Sequence, residues 1–256
     1  MEFSTISPFD KKMSTHIEQN ISTICNRIAK ACEKSNRNPR EVKLLLATKT
    51  VSPEKIKIAF STGQTLMGEN KVQEIKEKFE ELKDIPHEKH FIGHLQTNKI
   101  KELLRYEVSC IQSLDRLKAA EKLQNRLVFE NKHIDALIQV NTSNEASKFG
   151  ITPEEAVEFA KQLSKFDRIS IKGLMTIGLF SAETEKVRTC FQLLRNIRDE
   201  IIAENIPNIE MKELSMGMSN DLETAIEEGA TIIRVGTAIF GQRPYPDSYY
   251  WNEKTK

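Results

Sequence analysis

Apolar positions along the chain fall into two alternating registers. From Thr15 to about Lys34, residues Ile17, Ile21, Ile24, Cys25, Ile28 and Cys32 recur at helical spacing. Residues 1–14 carry no such period and read as a loose N-terminal arm. The run Val42–Ala47 is then continuously apolar, as befits a strand buried on both faces of a parallel sheet. Ser52-Pro53-Glu54 opens a helix to about Ser61, with proline at the first helical position.

The alternation continues to the end of the chain. Strand-like segments lie at 65–68, 90–93, 108–114, 134–140, 169–177, 211–215 and 231–236. Helical patterns over 70–82, 97–104, 116–129, from about 152, 182–204 and 221–228 separate them. Strict β/α alternation implies parallel strands joined by right-handed crossovers. Eight strands within 256 residues predict a single-domain α/β (β/α)8 TIM barrel with an extra N-terminal helix. A doubly wound open sheet is the alternative. The expected layout is the arm at 1–14, the barrel at 15–243 and a tail at 244–256 that contains Tyr245, Tyr249, Tyr250 and Trp251.

Composition narrows the functional classes. Lys+Arg 38 against Asp+Glu 37 leaves a net charge of +1, no basis for binding nucleic acid or an acidic membrane. No segment approaches the roughly 18 apolar residues of a membrane span. The four cysteines, Cys25, Cys32, Cys110 and Cys190, form no CxxC pair and read as small buried hydrophobes. MEFSTISPFDKKMS has neither the apolar core of a signal peptide nor the Arg-rich character of a transit peptide. The expected compartment is the cytoplasm, with nuclear entry left open.

In α/β folds, ligands bind beyond the carboxyl ends of the strands, and polar residues collect there in this chain. Thr48-Lys49-Thr50 follows the first strand, Gly68-Glu69-Asn70 the second, and Gly93 to Lys99 the third. Ser215 to Asp221 follows the seventh strand, and Arg234-Val235-Gly236-Thr237 ends the eighth. Lys49 has two readings. It is either a rim lysine whose charge reaches water, or an amine whose pKa is lowered from about 10.4 so that it condenses with an aldehyde. The Gly-, Ser- and Thr-rich segments after strands seven and eight suit a phosphate. Together the two features fit an aldehyde that carries a phosphate. His87, His90 and His94 resemble metal-ligand spacing, but no further ligand joins them at a diagnostic spacing. The Lys/Glu-rich stretch 71–89 reads as a solvated helix face.

ATKT around Lys49, GENKVQE (68–74), HFIGHLQTNK (90–99), KFGI (148–151), GLMTI (173–177), SMGMSNDLETAI (215–226) and RVGTAIFGQR (234–243) carry a family resemblance. In order and over about residues 40–243, the chain resembles the YggS/PROSC family of pyridoxal phosphate homeostasis proteins, including its small eukaryotic cytosolic member. The resemblance implies a fold type III barrel similar to the N-terminal domain of alanine racemase, without that enzyme's C-terminal β domain. It also implies pyridoxal 5'-phosphate (PLP) as cofactor. Matched by position, Lys49 is the Schiff-base lysine, Ser215, Ser219, Gly236 and Thr237 form the phosphate site, and Arg234 faces the pyridine nitrogen. Asn70 and Met216 lie close to the cofactor. Lys71 and Asn220 depart from the common residues at their positions.

The role this implies is PLP homeostasis, in which a monomer buffers the cofactor and delivers it to apo-forms of PLP-dependent enzymes. An arginine facing the ring nitrogen leaves the ring a weaker electron sink. The resemblance also leaves the chain without the racemase's second base, a tyrosine from another domain and subunit. A non-catalytic carrier is therefore the expectation. A low-activity amino-acid racemase is the alternative, and a phosphosugar enzyme using Lys49 is a third reading.

Overall fold

Eight short parallel strands close on themselves. The computed structural model describes residues 8–179 and 181–242, with side chains from Met13 onward. Strands β1 (Lys43–Ala47), β2 (Leu66–Glu69), β3 (Glu88–Phe91), β4 (Cys110–Leu114), β5 (Ile134–Gln139), β6 (Ile169–Met175), β7 (Ile209–Ser215) and β8 (Ile232–Val235) pair in chain order. Between β8 and β1, Lys43 pairs with Ile232 and Leu46 with Val235. That closing pair excludes the open sheet and establishes the (β/α)8 barrel.

Helices α2 (Pro53–Ser61), α3 (Val72–Leu82), α4 (Ile100–Arg105), α5 (Leu117–Glu130), α6 (Ala156–Leu163), α7 (Thr184–Ala203), α8 (Leu222–Glu227) and α9 (Thr237–Phe240) follow the strands in turn. Alternation along each strand divides the core into two layers. On β1, Leu44 and Leu46 join the large cluster beneath the helices, while Leu45 points into the barrel with Leu66, Cys110, Leu137, Met175 and Ile232.

The extra N-terminal helix α1 spans Pro8–Lys34 and so begins within the segment expected to be a loose arm. Proline suits a first helical position, and a helix already nucleated by a packed segment propagates cheaply beyond it. The apolar period could mark only the packed part. That part lies against α2, α8 and α9. Asn20 Nδ2 donates to Ile239 O (2.9 Å), Arg27 NH1 donates to Ser219 O (2.9 Å), and Arg27 Nε pairs with Glu223 (2.6 Å). In this way α1 fixes the segments that follow β7 and β8. The Tyr- and Trp-rich tail lies outside the described residues.

Leu45 is fully buried, and its Cδ2 fills the space where any side chain at Gly68 would stand (2.6 Å). Leu45→Ala should destabilise the protein by about 2–5 kcal/mol, measured by denaturant unfolding. A smaller loss would mean that the interior layer collapses around the gap.

Candidate functional site

The chain turns sharply where β1 ends. Val51 N–H donates to Thr48 O (2.9 Å) and Thr50 has φ 63°, so Lys49 and Thr50 are the two central residues of a tight turn. Lys49 lies two residues beyond the strand, on the alternation of Leu45 and Ala47, and is half-buried. With Lys55 of α2 it lines a cleft, open to solvent, whose opposite wall is Gly236, Thr237 and Phe240. Among the described residues no acidic side chain lines the cleft. β1–β8 pairing creates this juxtaposition, because Gly236 directly follows the strand that closes against β1.

The segment after β7 lies beside Thr237. Gly217 has φ 92°, and a Cβ there would come within 2.5 Å of Ala225 Cβ, so only glycine fits the turn. The turn brings Ser219 Oγ to 3.5 Å from Thr237 Oγ1. Asp221 Oδ1 accepts the Met218 N–H (2.5 Å). Burial raises the Asp221 carboxyl above its ordinary range.

Inside the barrel, Arg234 is buried on the same face of β8 as Ile232. Its NH2 donates to Thr176 O (2.7 Å) and its NH1 to Ser215 Oγ (2.7 Å). Ser215 Oγ in turn donates to Gln112 Oε1 (2.6 Å), and Gln112 Nε2 donates to His90 Nδ1 (2.7 Å). Each member accepts from the one before, so the chain of bonds has one direction, and the proton of the neutral His90 ring lies on Nε2. Burial brings the Arg234 guanidinium down to about 10, with Asp221 opposing the shift, so the group stays charged near neutrality. Burial, helped by Lys43, brings His90 down to about 4.

The structure therefore divides the eight residues singled out in the sequence. Lys49, Gly236 and Thr237 share the cleft, and Ser219 reaches it through Thr237. The Ser215 side chain is fully buried and bonds to Arg234 and Gln112 rather than to Ser219 or Thr237. Strand alternation accounts for this, since Ser215 faces inward and Met216 outward. The Met216 side chain belongs to the core beneath the helices, and its N–H donates to Ile232 O (3.2 Å). Asn70 is half-buried just past β2, its backbone so close to Gly93 that a Cβ there would lie 2.0 Å from Asn70 O.

Lys55, Gln112 and His90 went unrecognised as partners of the site. A polar residue on the inward register of an apolar strand is the signal that could have found Gln112. The three histidines do not converge: His87 stacks on Phe60, His94 on Phe149, and His90 bonds to Gln112. Among the described residues no group of three or more potential ligands could hold a metal ion.

Comparison with known proteins gives the family of the chain. Residues 15–244 match the family model of the alanine racemase N-terminal domain, which defines the class of barrel. The Aquifex aeolicus pyridoxal phosphate homeostasis protein is 45% identical over 227 residues, 89% of this chain and 98% of that protein. The Pasteurella multocida protein of the same name is 40% identical, over 90% of this chain and 98% of its own. Among solved structures, PipY of Synechococcus elongatus PCC7942 with PLP bound superposes with a TM-score of 0.76 at 30% identity, covering 88% of this chain and 100% of that one. The chain belongs to the pyridoxal phosphate homeostasis protein family.

Neutral His90 gives the barrel interior a pH dependence. The unfolded chain protonates this ring below about 6.5, the folded one only below about 4. Stability from the neutral ring is therefore complete above the unfolded value and is lost as pH falls through the folded one. His90→Gln should make the fall in melting temperature over that acid window shallower than in the parent protein. An unchanged slope would mean that His90 does not titrate there.

Proposed function

We propose that the chain binds PLP, holds it covalently through Lys49, and serves as a monomeric cytoplasmic buffer that delivers the cofactor to apo-enzymes. The observation that carries this reading is the joining of Lys49 with Gly236 and Thr237 in one cleft. The donor set fits a phosphorylated aldehyde. Lys49 supplies the amine, and Ser219, Thr237 and the Gly236 backbone would hold the phosphate, with Lys55 adding positive charge. Hydrogen bonds to a charged group contribute about 1.5–3 kcal/mol each. Arg234 would face the ring nitrogen. A guanidinium donates and cannot accept, so it keeps that nitrogen unprotonated.

PLP acts as an electron sink in amino-acid chemistry, and the sink is shallow when its nitrogen is neutral. Racemisation also needs proton transfer on two faces of one carbon. Tyr106 is the one tyrosine among the described residues, and it packs edge-on against Phe79, away from the cleft. The neutral ring nitrogen supports a carrier over a racemase, as does the homeostasis name that the relatives bear.

Borohydride reduction of the PLP-loaded protein followed by peptide mass analysis should place the adduct on the peptide containing Ala47-Thr48-Lys49. An adduct confined to Lys99 or Lys148 would overturn the assignment. With L-alanine in deuterated water, α-deuteration should stay far below the ordinary enzymatic range of about 1–10³ s⁻¹. Rapid exchange that yields D-isomer and is lost in Lys49→Ala would make the protein a racemase.

A further inference from the structure

Thr48, the residue before Lys49, has every polar group engaged. Its N–H donates to Gly68 O (3.0 Å), and its hydroxyl donates to Glu69 Oε1 (2.6 Å). Its carbonyl accepts two bonds, from Val51 N–H within the tight turn (2.9 Å) and from Lys78 Nζ (2.8 Å). Lys78 reaches in from α3 and also pairs with Glu69 Oε1 at 2.6 Å. The side chains of this pair are only 8% and 1% exposed. A lysine from α3 and a glutamate from β2 thus converge on Thr48, the residue just beyond β1 from which the Lys49 turn departs.

A buried ion pair is a poor way to gain stability. Its desolvation cost rivals its Coulombic gain, and well-packed apolar replacements are often no less stable. What this pair supplies is position, because it ties the turn carbonyl to two other elements of the barrel. We propose that Lys78 and Glu69 are positioning residues for Lys49, clamping the Thr48–Val51 turn so that the amine is presented at a fixed point to a carbonyl ligand. The proposal deepens the PLP-binding reading and rests on it for the identity of that ligand.

In the step concerned, Lys49 Nζ, once deprotonated, attacks the aldehyde carbon. A C=N bond forms, and the carbonyl oxygen leaves as water after taking up the two amine protons. The reaction depends on the angle and distance of approach, and misplacement by about 1 Å can cost about a hundredfold in rate. Binding of the phosphate does not use the amine. Loss of the clamp should therefore slow condensation and leave non-covalent binding unchanged.

Glu69 Oε2 and Glu74 Oε2 are both buried and without a hydrogen-bond partner, and Glu74 faces Glu69. Burial, opposed by Lys78 and reinforced by Glu74, pushes the Glu69 carboxyl above the usual carboxylate range. A proton held there can be shared between the two carboxyls. Glu69→Gln mimics that protonated form: its amide oxygen still accepts from Thr48 and Lys78, and its nitrogen can donate to Glu74.

The test compares the wild-type protein, Glu69→Gln, Lys78→Met and the double variant Glu69→Gln/Lys78→Met, which removes both charges of the pair together. Three quantities are measured: amide hydrogen exchange at Val51 in the PLP-free protein, affinity for deoxypyridoxine 5'-phosphate, which lacks the aldehyde, and the rate of Schiff-base formation with PLP. Glu69→Gln should resemble wild type. Both Lys78 variants should lose Val51 protection and condense about ten- to a hundredfold more slowly, with affinity for the deoxy analogue within about twofold of wild type. Unchanged Val51 protection and unchanged condensation in the double variant would overturn the proposal. A parallel loss of analogue binding and condensation would overturn it as well, by showing a general effect on the fold. If wild type itself forms no adduct at Lys49, the PLP reading fails, while Val51 exchange still decides whether the clamp exists.

Discussion

Pairing of β1 with β8 is the constraint on which the site depends. Four register pairs, from Lys43 with Ile232 to Leu46 with Val235, close the barrel between its first and last strands. Lys49 and Gly236, far apart in the chain, consequently emerge side by side at one rim. An open sheet of the same strands would leave them at opposite edges. Closure also creates the interior in which Arg234, Ser215, Gln112 and His90 bond to one another across β3, β4, β7 and β8.

Polar groups placed inside such a barrel must satisfy one another or destabilise it. Two buried cations show how this chain meets the requirement. Arg234 donates to a hydroxyl and a carbonyl, and Lys78 to a carboxylate and a carbonyl. Arg234 lies inside the barrel, whereas Lys78 lies on the buried face of α3, in the layer between that helix and the strands. That outer layer, with α1 as an additional buttress, supplies the burial that offsets their desolvation. Through Arg27 and Asn20 the same helix secures Ser219 O and Ile239 O, so an element outside the barrel repeat supports the cleft wall formed by β7 and β8.

Most of the barrel was legible because parallel strands buried on both faces appear as short apolar runs. Legibility failed where charge entered a strand. Glu88 and Lys89 begin β3, yet Lys89 is buried and pairs with Glu107; a charged dipeptide conceals such a strand start. β7 begins at Ile209, two residues before the apolar pattern suggested, because Glu210 and Glu213 reach Lys172 and Lys43 across the sheet. The candidate site divides in the same way. Lys49, Gly236 and Thr237 follow strand ends and could be placed from strand order alone. Ser215 and Met216 differ in role by the face each occupies, which depends on register. Gln112 and Lys78 acquire meaning only through partners that long-range folding brings to them.

In the proposed reading one ligand is held from both sides of the closing pair, its aldehyde by Lys49 just beyond β1 and its phosphate by the residues after β8. Calorimetric affinities of wild type and Thr237→Val for PLP and for pyridoxal measure this directly. PLP should bind far more tightly than pyridoxal to wild type, and Thr237→Val should weaken PLP by about ten- to a hundredfold while leaving pyridoxal unchanged. Equal affinities for the two ligands in wild type, with no effect of Thr237→Val on either, would contradict it.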